Sequence, residues 1–164
     1  MKTEQIELPV ATAEGNFMAC YSKNGLARLD FPKVNTPASN IPAAGISTQI
    51  RLWHRITETA LKAVLAGRAP RKFPPLDVVG TAFQKSVWNA LRKIPAGQTR
   101  SYGEVAQAIG RPRAVRAVGG ACGANPIPVL VPCHRVLAAN KKIGGFSSGL
   151  AWKRRLLARE GVKV

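Results

Sequence analysis

Residues 127–136, IPVLVPCHRV, constrain this chain more than any other stretch. The first five residues are apolar, which predicts a buried strand. They lead into a cysteine, a histidine and an arginine, Cys133, His134 and Arg135. A thiol buried in apolar packing is inert because burial favours its neutral form, whereas a thiol beside a base and a cation readily forms a thiolate. The sequence therefore predicts a buried strand that delivers a reactive thiol.

Composition excludes several classes of protein. The 164 residues can form one domain or two small ones. No window approaches the length of a membrane span, and no basic segment followed by an apolar one suggests a secretory signal. Three scattered cysteines argue against a disulfide framework and for a reducing compartment, so we expect a cytoplasmic protein. With no CxxC pair and only His54 and His134, we expect no metal.

The charge is strongly asymmetric along the chain. The net charge is +17, and residues 1–78 carry ten Lys and Arg against six Asp and Glu, or +4. Residues 79–164 carry fifteen against two, or +13. Lys and Arg contacts with phosphates dominate non-specific affinity for nucleic acids. The second half is therefore the predicted DNA face, although a charged surface can also serve solubility alone.

The first half, residues 1–78, predicts a small α/β domain. The segments IELPV, NFMACY and GLARLDF favour strands, and Asn24-Gly25 between the last two is a hairpin signal. A loop is predicted for residues 32–42. The segment after it, TQIRLWHRITETALKAVLAG, has helical spacing of its apolar residues, Leu52 among them, up to Gly67. The proline-rich segment RAPRKFPPLDVVG then suggests an interdomain linker.

The second half, residues 79–164, predicts a mainly helical domain. Thr81 and Ser101 each open a helix with a capping box, and the second helix ends at Gly110. A third helix is predicted to begin with Pro112 in its first turn and to contain RAVRAVGGACGA. The segment LAWKRRLLARE predicts a last helix, with Glu160 at its end.

The helix pair 101–124 is a helix-turn-helix candidate, because a short glycine-containing turn joins a helix to one that is basic at its start. Many such hairpins bind nothing. The small residues on the second helix, among them Ala117, Gly120 and Ala121, would nevertheless let its backbone approach a narrow groove, which favours entry into the minor groove of DNA.

Several motifs together identify a family. The motif PCHRV, preceded by RAVGGACGANPIPVL and followed by GGFSSGL and KRRLLAREG, closely resembles the O6-alkylguanine-DNA alkyltransferases, the methylated-DNA–protein-cysteine methyltransferases. The resemblance runs almost continuously from GTAFQKSVWNALRKIPAGQTRSYGEVA to the end. It implies a ribonuclease H-like antiparallel sheet with a helix in the first half and a helix-turn-helix in the second. The implied activity is flipping of an alkylated guanine from duplex DNA and irreversible transfer of its alkyl group, with no cofactor.

The resemblance assigns four catalytic residues. Cys133 is the nucleophile, since displacement at a methyl carbon requires a thiolate. His134 is the base, acting through a water, because neighbouring side chains on an extended segment diverge. Glu160 orients the imidazole and stabilises its protonated form. An acid at the end of a helix opposes the helix dipole, so Glu160 is expected to have a compensating partner. Asn125 matches the residue that bridges a helix and the active site, while also capping that helix.

Further residues are assigned to DNA and to the flipped base. Arg116 matches the arginine that enters the base stack in place of the flipped base, and Tyr102 matches a residue that crowds the target phosphate and donates a proton to guanine N3. Ser101, with the small residues of the third helix, completes the expected DNA contacts. The guanine pocket is expected to be walled by four residues, Pro128, Val136, Phe146 and Ser147. Phe146 replaces the tyrosine of the commonest family pattern, which keeps a stacking surface but removes a hydroxyl.

Two other functions fit parts of the sequence. A lesion-recognition protein without transfer would bind the same DNA, but such relatives lack the reactive cysteine, and Cys133 is present. A cysteine hydrolase could use the Cys-His pair, but it would explain neither the +13 half nor the helix-turn-helix. The sequence therefore favours a single-turnover DNA repair protein that acts as a monomer on double-stranded DNA, near the nucleoid in a bacterium. Cys20 and His54 are expected to be structural, and Cys122 to be semi-exposed.

Overall fold

The computed structural model describes residues 4–34, 41 and 44–164. An antiparallel three-stranded sheet and one helix come first, and a mainly helical half follows, which confirms the predicted fold class. The elements are, in chain order, β1 (Ile6–Thr12), β2 (Gly15–Tyr21), β3 (Leu26–Asp30), α1 (Thr48–Leu65), α2 (Ala82–Leu91), β4 (Arg100–Ser101), α3 (Tyr102–Ala108), α4 (Val115–Gly123), β5 (Val136–Leu137) and α5 (Leu150–Arg159). Most of the predicted loop 32–42 lies outside the described residues.

The sheet has the order β1-β2-β3. The predicted turn at Asn24-Gly25 is confirmed: the amide of Ser22 donates to the carbonyl oxygen of Gly25 at 2.9 Å, and Gly25 has φ +156°. A Cβ at Gly25 would come within 2.3 Å of the carbonyl oxygen of Pro75, so the turn requires glycine. Pro9 lies in β1, an edge strand of this sheet, where its missing N–H breaks no ladder.

His54 joins α1 to the sheet. Its Nε2 lies 3.1 Å from the carbonyl oxygen of Pro9 and must donate to it, so its Nδ1 accepts from the hydroxyl of Tyr21 at 2.9 Å. Burial lowers the pKa of His54, so the ring is neutral in this pair of contacts. The geometry is that of a structural histidine.

The helix α1 begins at a serine cap and ends at a glycine. The hydroxyl of Ser47 accepts from the amide of Ile50, and Gly67 follows the helix with φ +75°. Leu52, one of the apolar residues at helical spacing, is 51% exposed. The buried face of the helix carries His54 and Thr57 together with apolar residues, which are Ile50, Ala60, Leu61, Val64 and Leu65.

Both predicted capping boxes are present. The Thr81 hydroxyl accepts from the Gln84 amide at 3.1 Å, and the Gln84 side chain accepts from the Thr81 amide at 3.0 Å. Ser101 and Glu104 form the same pair of bonds, at 3.0 and 2.7 Å. These local bonds satisfy amides that have no partner in the first turn of a helix, which is why α2 and α3 begin where the sequence predicts.

Residues 68–80 pack along the sheet. The Leu26 amide donates to the carbonyl of Pro75, and the Asp77 amide donates to the carbonyl of Leu26, both at 2.8 Å. Farther on, the Leu29 amide donates to the carbonyl of Pro126 at 2.9 Å. One core of buried side chains includes residues from both halves, from Leu8 to Leu156. The sheet is therefore joined to the helical half by backbone bonds as well as by apolar packing.

The predicted buried strand at residues 127–131 is wrong. The segment turns instead: the Val131 amide donates to the carbonyl of Ile127 at 2.9 Å, and Val129 has φ +74°. The flanking prolines, Pro128 and Pro132, have no N–H for a strand ladder. Cys133 then opens a turn of 3-10 helix, Cys133–Arg135. The segment is buried, as its apolar composition predicts, but as a turn.

Helix α4 is shorter than predicted. It begins at Val115, with Ala114 as its N-cap, so Pro112 lies outside its first turn. The Ala114 amide donates to the carbonyl of Arg111, which closes a turn between α3 and α4. The indole of Trp88 on α2 donates to the carbonyl of Ala121 at 2.8 Å and fixes α4 against the core. No helix within the described part of the chain is long and apolar enough to cross a bilayer.

Candidate active site

The thiol of Cys133 lies at a cavity of about 290 Å³. The cavity is open on one side, and its walls come from α3, α4 and the loop before α5. Its lining residues are Tyr102, Gly119, Cys122, Gly123, Cys133, Gly145, Phe146 and Ser147. Cys133 itself is only 4% exposed. A small planar ligand could reach the thiol from the open side, whereas bulk solvent has little access to it.

A buried carboxylate lies behind the thiol segment. Glu160 is the C-cap of α5, and its side chain is 1% exposed. Its Oε1 lies 3.0 Å from Nε2 of His134 and 2.7 Å from Nη2 of Arg135, whose Nε also donates to both carboxylate oxygens. Arg135 in turn donates to the carbonyl of Ile94 at 2.7 Å, and the Gly97 amide donates to Glu160. Glu160, for which a compensating partner was expected, therefore has two, the side chains of His134 and Arg135.

These contacts set the protonation of Glu160 and the tautomer of His134. Burial raises the pKa of Glu160, but the hydrogen bonds from His134 and Arg135 outweigh it and lower this pKa to about 2. The carboxylate is therefore ionised near neutral pH and can only accept hydrogen bonds. Nε2 of His134 must carry the hydrogen, which leaves the lone pair of the neutral ring on Nδ1. Nδ1 is buried and has no hydrogen-bond partner among the described residues.

Cys133 and His134 are both neutral at rest. Burial raises the pKa of Cys133, against the opposing influence of Asn125 and of the Lys153 cation. Burial also lowers the pKa of His134, although Glu160 favours the protonated ring. The directions of both pKa shifts favour the neutral thiol and the neutral imidazole before a substrate binds. The proton must leave Cys133 when a substrate is bound.

Asn125 braces the thiol segment. Its Nδ2 donates to the carbonyl of Val131 at 2.8 Å, and its Oδ1 accepts from the amide of Ile127 at 3.0 Å. A side-chain hydrogen bond from Asn125 also lowers the pKa of Cys133, and an amide nitrogen has two hydrogens for two acceptors. Asn125 thus links the end of α4 to both ends of the buried turn.

The sequence analysis missed Lys153. This lysine is fully buried, and its Nζ donates to the carbonyls of Val136 at 2.7 Å and Gly145 at 3.0 Å. Burial lowers its pKa, while its charge lowers the pKa of Cys133. A neighbouring run of cations, Lys153-Arg154-Arg155, suggests a solvated face. The available signal was spacing, since Lys153 shares a helical stripe with Leu156 and Leu157.

Tyr102 lies in the wall of the cavity, and Ser101 precedes it as the N-cap of α3. The hydroxyl of Tyr102 lies 3.2 Å from where a Cβ on Gly144 would stand. Burial raises the pKa of Tyr102, so the hydroxyl keeps its proton and can donate it. The Ser101 hydroxyl accepts from the Glu104 amide in the helix cap. Both residues therefore belong to the start of α3.

Helix α4 presents small residues and one arginine to solvent. Arg116, Ala117 and Gly120 are exposed, and a Cβ built on Gly120 would meet nothing within 4 Å. Ala121 is 2% exposed, so the expectation that it contacts DNA is wrong. It faces α2, where its carbonyl binds the indole of Trp88.

The four expected pocket residues separate into two pairs. Phe146 and Ser147 line the cavity at Cys133. Pro128 and Val136 do not line it: Pro128 borders a neighbouring cavity beside the sheet, and Val136 is fully buried with its carbonyl bound to Lys153. The turn at residues 127–131 explains the difference, because a strand would have aimed these side chains differently.

The other cysteines differ in their relation to the cavity. Cys122 lines it but is 7% exposed, so the expected partial exposure is wrong, and burial raises its pKa to about 12. Cys20 is fully buried in β2. Within residues 4–34, 41 and 44–164, no three His, Cys, Asp or Glu side chains come close enough to share a metal ion.

The second half of the chain matches the profile of a known protein family. A family profile described as 6-O-methylguanine DNA methyltransferase, DNA binding domain, matches residues 82–162. The methylated-DNA–protein-cysteine methyltransferase of Methanosarcina barkeri is 41% identical over 155 residues, which covers 94% of each chain. The protein of the same name from Methanosarcina acetivorans is 54% identical over 109 residues, covering 66% of this chain and 70% of that protein.

A solved structure shows the same fold. The crystal structure of Mycobacterium tuberculosis OGT in complex with DNA matches with a TM-score of 0.71 and 37% sequence identity. The match covers 93% of this chain and 90% of that one, so it includes the sheet as well as the helices.

Replacing the buried carboxylate should destabilise the protein. In Glu160→Gln, Arg135 keeps a buried cation without its counter-ion, and breaking such a pair costs about 3–5 kcal/mol of unfolding free energy. The folded pKa of about 2 lies below the ordinary value of 4.5, so the stabilisation is complete above pH 4.5 and is lost as the pH falls towards 2. Urea unfolding at pH 7 and pH 3 measures both effects.

The matched control is Glu7→Gln, which removes an exposed partner of Arg28 and should change stability by less than about 1 kcal/mol. Equal stability of Glu160→Gln and the wild type at pH 7 would show that the buried carboxylate does not hold this segment.

Proposed function

This chain belongs to the methylated-DNA–protein-cysteine methyltransferase family, and we propose that it repairs DNA by moving the alkyl group of an O6-alkylguanine onto its own Cys133. The observation that carries the proposal is the thiol of Cys133 at the cavity, with the buried His134 and Glu160 behind it. In this account residues 79–164 bind DNA and carry out the transfer, and residues 1–78 support them. We extend the reaction to O4-alkylthymine, which presents an alkyl group on a similar oxygen.

The transfer is a displacement at the alkyl carbon. The sulfur of Cys133 forms a bond to that carbon as the bond to O6 breaks, and the electron pair of the broken bond moves onto the guanine. The neutral thiol must lose its proton for the sulfur to attack. The product is a thioether, and among the described residues we assign none to the removal of the alkyl group. Each protein molecule therefore reacts once.

The proton of Cys133 passes to Nδ1 of His134 through a water molecule. Nδ1 is the free base of the ring because Nε2 is bound to Glu160. The ionised carboxylate stabilises the imidazolium that forms, as the acid does in other Cys-His and Ser-His systems. Asn125 and the Lys153 cation stabilise the transient thiolate, since both lower the pKa of Cys133. Arg135 holds Glu160 in place and takes no direct part.

The departing guanine takes up one proton. Tyr102 lies on the cavity wall with its hydroxyl protonated, so it can donate to N3 as negative charge collects on the base. The tyrosinate then regains a proton from solvent and the His134 imidazolium releases the proton it took from Cys133, so the net transfer is from the thiol to the guanine. Phe146 supplies an aromatic face at the same cavity for the guanine ring, and Ser147 offers a hydroxyl or an amide to O6. The transfer requires no cofactor, because the base, the acid and the nucleophile are all side chains.

Double-stranded DNA is bound through the minor groove. The exposed face of α4 carries backbone and small side chains, Ala117 and Gly120, which fit a narrow groove. Arg116 enters the base stack and replaces the flipped nucleotide, because a planar cation can fill the gap and offset part of the unstacking cost. Ser101 contacts the backbone of the DNA beside Tyr102. One protein molecule is sufficient for each lesion. The reaction takes place in the cytoplasm, where the cell's DNA lies.

The alternative is a protein that recognises the lesion and transfers nothing. Such a protein needs the same DNA face but no thiol, and Cys133 with its two supporting side chains favours transfer. A cysteine hydrolase would turn over esters or peptides repeatedly and would not be consumed.

Incubation of the protein with duplex DNA that contains O6-methylguanine tests the proposal. We expect one added methyl group per protein, saturating at one equivalent, on the peptide that contains Cys133. Intact and peptide mass spectrometry measure it. Cys133→Ala should bind the same duplex and gain no methyl group, since the nucleophile is absent.

The matched control is Cys122→Ala, which removes the other thiol of the cavity and should still be methylated once. Tight binding of the lesion without any change of mass in the wild type would identify a recognition protein. Repeated turnover of an ester or peptide substrate would identify a hydrolase.

Arg116→Ala should impair base flipping and leave the chemical step of the transfer unchanged. We expect transfer from duplex DNA to slow roughly tenfold to a hundredfold, because extruding a base costs a few kcal/mol that Arg116 partly offsets. Reaction with free O6-benzylguanine, which needs no extrusion, should keep its rate. Single-turnover rates on the two substrates measure the difference.

Arg113→Ala is the control, since it removes a neighbouring exposed arginine from the turn before α4. It should weaken DNA binding in a salt-dependent way without changing the transfer rate at saturating DNA. An equal loss of rate on both substrates in Arg116→Ala would contradict the flipping role.

A further inference from the structure

The wall of the cavity is supported from the N-terminal sheet. Phe146 stands in the cavity lining, and its ring meets the ring of Phe31 edge-on, with centroids 5.9 Å apart and planes at 87°. Phe31 directly follows β3, in the half of the chain that carries none of the proposed catalytic residues. A residue outside the helical half thus touches the aromatic face proposed to hold the guanine.

Phe31 belongs to an aromatic cluster that is itself fixed. Its ring lies 4.8 Å from that of Trp152 on α5 and 5.3 Å from that of Phe17 on β2. Phe17 and Trp152 meet edge-on at 5.8 Å, and Phe17 is fully buried. Tilted and edge-on contacts at these distances are the favoured arrangements of aromatic rings. The cluster gives Phe31 a defined position against which Phe146 can rest.

The loop that carries Phe146 needs such a support. Gly144 and Gly149 adopt φ +69° and +97°, so glycines in left-handed conformations lie on both sides of the phenylalanine. The loop is tied by the Gly149 amide, which donates to the carbonyl of Phe146 at 3.0 Å, and by Lys153, which binds the carbonyl of Gly145. Both of these contacts hold backbone. The ring of Phe31, in contrast, contacts the side-chain ring of Phe146.

The same strand reaches the other side of the thiol segment. The Leu29 amide of β3 donates to the carbonyl of Pro126, the residue after Asn125. The end of β3 therefore contacts both the loop with Phe146 and the chain that Asn125 braces. A cavity lined by Phe31, Ser147 and Trp152 lies beside these contacts.

We propose that Phe31 is a positioning residue for the transfer reaction: from the end of the sheet it fixes the Phe146 ring and, through that ring, the plane in which the guanine is held against Cys133. The inference rests on the proposed function, because it assigns Phe146 to the guanine. It gives residues 1–78 a direct effect on substrate positioning in addition to stability. Phe31 touches no reacting atom and acts only through Phe146.

Single-turnover kinetics with free O6-benzylguanine test the proposal, because this substrate uses the pocket without DNA contacts. In Phe31→Leu we expect at least about a tenfold slower reaction, since a displacement near 1 Å at a reacting centre can cost about a hundredfold. Affinity for lesion DNA, measured in a Cys133→Ala background, should be unchanged because α4 is untouched. Phe31→Tyr keeps the aromatic edge and should restore the rate.

Tyr21→Leu is the matched control, because the ring of Tyr21 packs against His54 and, among the described residues, has no ring contact with Phe31 or Phe146. Tyr21 is more deeply buried than Phe31, so Tyr21→Leu should lower the melting temperature at least as much as Phe31→Leu, while keeping the reaction within about twofold of the wild type. A rate that follows the melting temperature in both variants would overturn the positioning role, as would an unchanged rate in Phe31→Leu.

The reaction of the wild type distinguishes a failure of this inference from a failure of the proposed function. If the wild type alkylates itself with neither benzylguanine nor lesion DNA, the proposed function fails and the inference fails with it. If the wild type reacts and Phe31→Leu reacts equally fast, only the role of Phe31 is wrong.

Discussion

The buried carboxylate of Glu160 is the interaction on which the rest of this site depends. It ends α5, fixes Nε2 of His134 and holds the guanidinium of Arg135, which in turn binds the backbone after α2. Three separate stretches of chain therefore meet at one ionised group. Its charge opposes the helix dipole, but two donors compensate for that and keep its pKa at about 2. The orientation of the histidine, and with it the free Nδ1, follows from this arrangement.

Local signals in the sequence predicted much of the fold. Thr81 and Ser101 place the starts of α2 and α3 because a capping box is formed within four residues. The turn at Val129 could not be predicted in the same way: a valine with φ +74° is held by prolines and by Asn125, and apolar composition alone indicates a strand. The spacing of Lys153 with Leu156 and Leu157 indicates the buried side of α5, but its two acceptors are carbonyls of other segments, which the sequence does not reveal.

The surroundings of the nucleophile Cys133 lower the reactivity of its thiol. Burial keeps Cys133 protonated and His134 neutral, while Asn125 and Lys153 favour the thiolate. Because the thiol reacts only once, reaction with any other electrophile would consume the protein. Low reactivity before the guanine enters the cavity prevents this loss. The supports of the cavity come from both halves of the chain, from α5 through Lys153 and from the sheet through Phe31. Reactivity is thereby tied to a complete fold and an occupied pocket.

We expect that burial keeps the Cys133 thiol protonated until a substrate occupies the cavity, and the pH dependence of its alkylation by iodoacetamide tests this directly. Peptide mass spectrometry can follow Cys133 separately from Cys20 and Cys122. Because burial raises the pKa of Cys133 above the ordinary 9.0, we predict a rate that is slow at neutral pH and still rising above pH 9. A rate that reaches its plateau below pH 8 would reveal a preformed thiolate and would contradict the account.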